Sequence, residues 1–260
     1  MSHGIHTEKL LEKLREYNSW YNQILRFLGK GSRRVNVVGL NITSLPELPA
    51  GVERLDCDYT NITRLPTLPN ELKVLHCSKT SLTTLPNLPP GLQELHCWGT
   101  QITSLPKLPD GLRVLNCSYL PITSLPKLPV GLERLNCSNT QITSLSELPG
   151  GLEALSCSDT QITSLPELPD GLEALSCSNT QITEFPELPV GLKELYCWNI
   201  PPITDVYSLL ERLSGEKKVE QLSTLILKRK DNESIQDYNL RWRAWREEQA
   251  SLQRIHSKEG

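Results

Sequence analysis

The amino-acid sequence predicts an α/β repeat solenoid: short parallel strands, one per 20-residue unit, joined by extended, helix-poor segments and closed by helices at both ends. Three observations carry that prediction. A phrase of the form Leu-Pro-x-Leu-Pro begins at Leu45, Leu65, Leu85, Leu105 and Leu125, continues at Leu145 with Ser146 replacing the first proline, and recurs at Leu165 and Phe185. All eight cysteines, from Cys57 to Cys197, keep the same 20-residue interval, with no residue inserted or lost between them. On either side of this array the apolar residues change to helical spacing. A fixed period of this length marks stacked units, each unable to bury its apolar face alone.

Within one unit, alternation at Leu95 and Cys97 is the period-2 pattern of a short strand with one buried face, so Glu94, His96 and Trp98 point the other way. Pro89 and Gly91 are expected at positions i+1 and i+3 of a type I turn, and the prolines favour an extended return along the back. A ninth, incomplete unit precedes the others at Val35 to Ser44, with Val37 in the cysteine column and Ile42 in the isoleucine column. Cysteines repeating in register on parallel strands point into a narrow core and act there as small hydrophobes. Disulfides would normally show irregular spacing and zinc sites clustered ligands, so neither is expected. Eight buried thiols imply a reducing, cytoplasmic compartment. No apolar stretch is long enough to span a membrane, and Met1 to Lys13 lacks the apolar core of a secretory signal.

The pattern Leu92-x-x-Leu95-x-Cys97-x-x-Thr100-x-Ile102 follows the leucine-rich repeat skeleton, with cysteine in the third leucine slot and threonine in the usual asparagine slot. Residues 35–204 resemble the short LPX class of these repeats found in type III effectors of bacterial pathogens and, in similar cysteine-bearing form, in large DNA viruses of eukaryotes. The resemblance implies a leucine-rich repeat horseshoe that recognises proteins. Several effectors of that class carry a large C-terminal ubiquitin-ligase domain with a catalytic cysteine. Here the last cysteine, Cys197, lies inside the array and 63 residues follow it, so that domain is not carried over.

The expected organisation is a helical N-terminal cap over residues 1–34, the solenoid over 35–204 and a helical C-terminal cap over 205–260. Leu10, Leu14, Tyr17, Tyr21, Ile24 and Leu28 are helically spaced at the N-terminus. Near the C-terminus Ser234-x-x-Asp237 offers a capping-box-like start to a longer helix. On it Ile235, Tyr238, Trp242, Trp245 and Leu252 form one apolar seam flanked by Arg241, Arg243 and Arg246. The seam suits a cap folded over the last repeats, and equally a docking face for a partner helix or for self-association. Nucleic-acid binding through its arginines is not expected, because the whole chain carries −3 rather than a strong positive charge.

Charge is unevenly spread. Residues 1–44 carry 7 Lys/Arg against 3 Asp/Glu, whereas 45–204 carry 9 against 17, and no basic side chain lies between Arg134 and Lys193. Glu147, Glu153, Asp159, Glu167, Asp170, Glu173, Glu184 and Glu187 fill that gap. They can be a solubilising surface or can steer a basic partner.

Outward strand positions are free of the stacking constraint, so their variation is the guide to a binding face. One outward column runs Asp56, His76, His96, Asn116, Asn136, Ser156, Ser176, Tyr196; the next runs Asp58, Ser78, Trp98, Ser118, Ser138, Ser158, Ser178, Trp198. His76, His96, Trp98 and, one place further along its strand, Tyr119 gather in the first half, and Tyr196 and Trp198 on the last rung. Aromatic residues of this kind dominate binding hot spots. Trp98 can instead shield a ladder, and Tyr196 and Trp198 can pack beneath the C-terminal cap. Asp56, His76 and His96 on neighbouring rungs raise the question of a metal or an acid–base pair. No nucleophile shares their column, since Cys77 and Cys97 face the core, and an open curved sheet excludes little water. The sequence therefore reads as a non-enzyme with no cofactor and no metal. It is expected to bind a protein on its concave face, a basic one if the acidic surface steers the partner; the other reading is a structural subunit of a larger assembly, such as a virus particle, that contacts its neighbours through the caps.

Overall fold

The computed structural model describes residues 33–200 with the exception of Trp198. Both expected caps, including the seam of Ile235, Tyr238, Trp242, Trp245 and Leu252, lie outside the described residues, as does Trp198. Nine three-residue strands follow one another: β1 (Arg34–Asn36), β2 (Arg54–Asp56), β3 (Val74–His76), β4 (Glu94–His96), β5 (Val114–Asn116), β6 (Arg134–Asn136), β7 (Ala154–Ser156), β8 (Ala174–Ser176) and β9 (Glu194–Tyr196). They form one parallel sheet in chain order. Every pair is in the register the period dictates, Leu55 facing Leu75, Leu75 facing Leu95, and so on to Leu195. β1 joins the ladder through Val35 opposite Leu55, so the incomplete first unit is a genuine rung.

The central residue of each strand and the cysteine two places on are buried along the whole array. In the fourth unit Leu92, Leu95, Cys97 and Ile102 are all at 0% exposure. Each aliphatic side chain so shielded contributes about 1.5–3 kcal/mol relative to exposure. The eight cysteines are buried and unpaired, and Val37 takes their column in the first unit. Several thiols also sit against the carbonyl of the next strand, as Cys57 Sγ does against His76 O at 3.2 Å and Cys117 Sγ against Asn136 O at 3.4 Å. The threonine column has its own role. Thr60, Thr80, Thr100, Thr140, Thr160 and Thr180 are buried, and each donates its hydroxyl to the carbonyl of the cysteine three residues earlier, from Thr60 at 2.8 Å to Thr180 at 2.7 Å. That bond pairs a backbone acceptor the turn would otherwise leave bare in the core.

The turn register differs from the expected one. Leu92 N–H donates to Pro89 C=O at 3.1 Å, and the same bond recurs at Leu72, Leu112, Leu132, Leu152, Leu172 and Leu192. Pro89 is thus position i and Gly91 position i+2, one step from the predicted assignment. Gly91 does not use a positive φ there, which is why Glu71 fills the same position one unit earlier.

Burial pushes the Cys57, Cys97 and Cys137 thiols up to about 12 and raises Cys77, Cys117 and Cys157 well above the ordinary thiol range. An unfolded thiol ionises near 9.0, so between roughly pH 9 and pH 12 the unfolded state binds fewer protons than the native one and stability falls as pH rises. Each thiol contributes about 1.4 kcal/mol per pH unit to that slope. Urea midpoints measured from pH 7 to pH 11 should drop steeply above pH 9, with a slope that shrinks as cysteines are replaced by valine; a flat profile would contradict a buried cysteine ladder. At one rung, Cys137→Ser should cost about 1–3 kcal/mol by placing a hydroxyl in the core, whereas Cys137→Val should be tolerated in the same denaturation assay.

Candidate functional site

Each strand leads into a turn whose second residue past the buried leucine–cysteine pair takes up left-handed backbone. The φ angle is +57° at Tyr59, +52° at Lys79, +67° at Gly99 and +56° at Tyr119, and the column continues through Asn139, Asp159, Asn179 and Asn199. Asn, Asp and Gly are the residues that tolerate this conformation; Asn and Asp fill the second half of the array, and Gly39 and Gly99 serve in the first. Two tyrosines and a lysine occupy it in the first half, at a backbone cost of about 1 kcal/mol each.

Two of those strained residues, Tyr59 and Lys79, meet the Trp98 ring, and the third, Tyr119, joins them through Lys79. The ring of Tyr59 meets the Trp98 ring edge to face at 6.1 Å between centroids. Lys79 Nζ lies 5.0 Å from the Trp98 ring and 5.8 Å from the Tyr119 ring. Gly99 is what lets the lysine do so: a Cβ there would stand 3.0 Å from both Cδ and Cε of Lys79. Tyr59 and Tyr119 remain 57% exposed. The platform is thus a cation held between aromatic faces, with ring surface left over for a partner.

Beside it lies a polar knot. Arg54 Nε donates to Asp56 Oδ2 at 2.8 Å, and Asp56 Oδ1 lies 2.9 Å from His76 Nδ1. Glu94 Oε1 lies 3.0 Å from His76 Nε2 and 3.0 Å from His96 Nε2. The two imidazoles are tilted by 42° with centroids 4.5 Å apart. Burial, reinforced by the neighbouring His76, holds the His96 imidazole below its ordinary range and so favours its neutral form.

Of the expected site residues, His76, His96, Trp98 and Tyr119 therefore belong to one patch. Tyr119 stands in the turn after β5 rather than on the strand. Tyr196, 47% exposed, is on β9 and five strands away from β4, so it does not join them. The second outward column also differs from expectation: Ser78, Ser118, Ser138 and Ser178 are buried. Their side chains are short enough to be covered by larger neighbours at strand spacing, and Ser138 Oγ pairs with Ser156 Oγ at 2.7 Å. Sequence reasoning missed Tyr59, Lys79 and Glu94. The signal for the first two was present: Tyr, Lys and Tyr break a column otherwise composed of Gly, Asn and Asp.

The eight acidic residues of the gap between Arg134 and Lys193 are exposed. Three glutamates of successive units, Glu133, Glu153 and Glu173, lie in one column just before β6, β7 and β8. Arg113 pairs with the first at 2.9 Å and Lys193 with the last at 2.7 Å.

The left-handed column has a measurable consequence. Tyr119→Asn should raise stability by about 0.5–1 kcal/mol, since asparagine accepts the conformation at lower cost, while Gly99→Ala should lower it by about 1 kcal/mol and displace Lys79 from Trp98. Thermal unfolding of the two variants checks the signs, and Trp98 fluorescence reports the displacement.

No protein-family model and no curated protein matches the chain. Solved structures do. YopM, a leucine-rich effector protein from Yersinia pestis, is 28% identical with a TM-score of 0.66 over 74% of this chain and 63% of that one. YopM from Yersinia enterocolitica WA-314 is 28% identical with a TM-score of 0.50 over 73% of this chain and 56% of that one. The leucine-rich repeat domain of a Shigella effector is 27% identical with a TM-score of 0.54 over 75% of this chain and 82% of that one. This chain spans less than two thirds of the length of either Yersinia structure. Residues 33–200 form a leucine-rich repeat solenoid similar to those of bacterial effector proteins.

Proposed function

We propose that the chain is a non-catalytic, effector-like recognition module that binds a protein partner on its concave side, through the strand-end turns carrying Tyr59, Lys79, Trp98 and Tyr119. The observation that carries this reading is the strain: three residues ill suited to left-handed backbone are kept there, and with Trp98 they form one linked cluster in which Lys79 lies against both Trp98 and Tyr119. Such local cost is tolerated where the side chains serve recognition. Aromatic anchors beside a cation are the residue types that supply most interface energy. The similarity to effector repeat domains supports the same class of role. The acidic second half, with Glu133, Glu153 and Glu173 in line, favours a partner with a basic segment and would steer its approach. The cysteines nearest the patch, Cys77 and Cys97, are buried and protonated, which supports binding rather than nucleophilic chemistry. Eight unpaired thiols suit a reducing compartment, so the host cytosol is the working location we infer.

The test uses a partner recovered by affinity capture on the intact chain. Trp98→Ala combined with Tyr119→Ala should weaken its binding by about 2 kcal/mol or more with thermal stability changed by no more than about 1 kcal/mol. Rising salt should slow association more than dissociation. Binding unchanged by the double variant but abolished by Trp242→Ala with Trp245→Ala would overturn the concave-face reading in favour of a subunit that assembles through its C-terminal segment.

A further inference from the structure

We propose that His76, Glu94 and His96 form a binding site for a divalent transition ion of the zinc class, with Asp56 orienting one of the ligands. The three ligand atoms lie within 4.8 Å of one another, and Glu94 Oε1 is 3.0 Å from each imidazole Nε2. Zinc bonded at about 2.0–2.1 Å in tetrahedral geometry places its ligand atoms about 3.3 Å apart. The side chains therefore need only a small outward movement to accept the ion.

Two orphaned atoms point the same way. Among the described residues, four buried side-chain polar atoms have no hydrogen-bond partner, and two of them, His96 Nε2 and Asp56 Oδ1, belong to this knot. His96 Nε2 lies 3.0 Å from Glu94 Oε1 without the alignment a hydrogen bond needs, so this buried ring nitrogen has no partner for its proton or lone pair. A cation bonded to both, with a small turn of the ring, would supply that partner. On the other side, a metal at His76 Nε2 leaves the ring proton on Nδ1, which lies 2.9 Å from Asp56 Oδ1 and 3.2 Å from Arg54 Nη2; the guanidinium can only donate, so the ring would turn from Arg54 toward Asp56. Asp56 would then accept that proton's hydrogen bond and fix the ring, the carboxylate–histidine–metal arrangement common in such sites. Arg54 already holds the other oxygen of Asp56. One ion, together with that turn of the His76 ring, would satisfy both orphans.

The donor set also defines the ion. Two imidazoles and one carboxylate suit Zn²⁺, Co²⁺, Ni²⁺ or Cu²⁺, whereas Mg²⁺ and Ca²⁺ prefer oxygen alone. Three protein ligands leave one position, open to water in the free protein. The outward column alone aligns Asp56 with the two histidines; the structure instead supplies Glu94 from the neighbouring column as the third ligand and sets Asp56 behind His76. The site is independent of whether this face binds a protein.

Titration of the full-length, reduced chain with Zn²⁺, and with Co²⁺ for its visible ligand-field bands, tests the assignment. One saturable equivalent is expected, with four-coordinate cobalt bands and a melting temperature that rises with metal concentration. Glu94→Gln, which preserves shape, and the double variant His76→Ala, His96→Ala should weaken binding at least tenfold, and Asp56→Asn about tenfold or more. Mg²⁺ and Ca²⁺ should not compete. The double variant keeps every cysteine and also His3, His6 and His256. Zinc binding that survives in it, or in Glu94→Gln with its metal-free melting temperature intact, would overturn the proposal, as would failure of the unmodified chain to take up one equivalent.

Discussion

The constant 20-residue register is the constraint on which the rest depends. Because every strand pairs with the next at the same offset, each residue lies against its own counterpart, and any column must be acceptable to itself at strand spacing. Leucine, isoleucine and cysteine meet that demand by packing; cysteine is the smallest of the three and fits where the core is narrowest. Threonine meets it because its hydroxyl is satisfied within its own unit, at the carbonyl three residues back, and asks nothing of its neighbour. A single inserted residue would break all of these columns together, which accounts for an array of eight full units without one insertion.

Columns that face outward obey the same rule with different consequences. Where the side chains are short and polar they form ladders along the sheet, as Ser138 does with Ser156 and Ser158 with Ser176, or as Asn199, Asn179 and Asp159 do along the turn. Such runs are locally relaxed and chemically monotonous. In the first half the rule is broken. Tyr59, Lys79 and Tyr119 accept left-handed backbone that does not suit them, and Arg54, Asp56, His76, Glu94 and His96 stack titratable groups where serines would suffice. Stability and recognition are therefore divided along the solenoid, with the second half inexpensive in backbone strain and the first half carrying the strain together with nearly all of the chemistry.

The two unusual clusters share strand β4 and its following turn. Glu94 and His96 belong to the polar knot and Trp98 and Gly99 to the aromatic platform; from the unit before, His76 joins the knot and Lys79 the platform. A rigid parallel sheet holds these groups at separations set by backbone hydrogen bonds rather than by flexible loops. That favours preorganisation, since little side-chain or loop ordering remains to be done when a ligand arrives.

The sequence alone determined the parallel solenoid, the inward cysteines, the incomplete first unit at Val35 and Val37, and the outward placement of His76, His96 and Trp98. Periodicity suffices for these, because a residue that repeats at fixed intervals must repeat its environment. Only the tertiary structure decided which outward residues meet. Ser78 and Ser118 are covered although their column faces out, Tyr196 is separated from the other aromatics by the length of the sheet, and Glu94 rather than Asp56 stands between the two histidines. It also shifted the Pro89–Leu92 turn by one residue and revealed the left-handed column that gathers Tyr59, Lys79 and Tyr119. These outcomes turn on side-chain length, backbone φ and the exact reach of a carboxylate across a strand, quantities that a one-dimensional period does not contain.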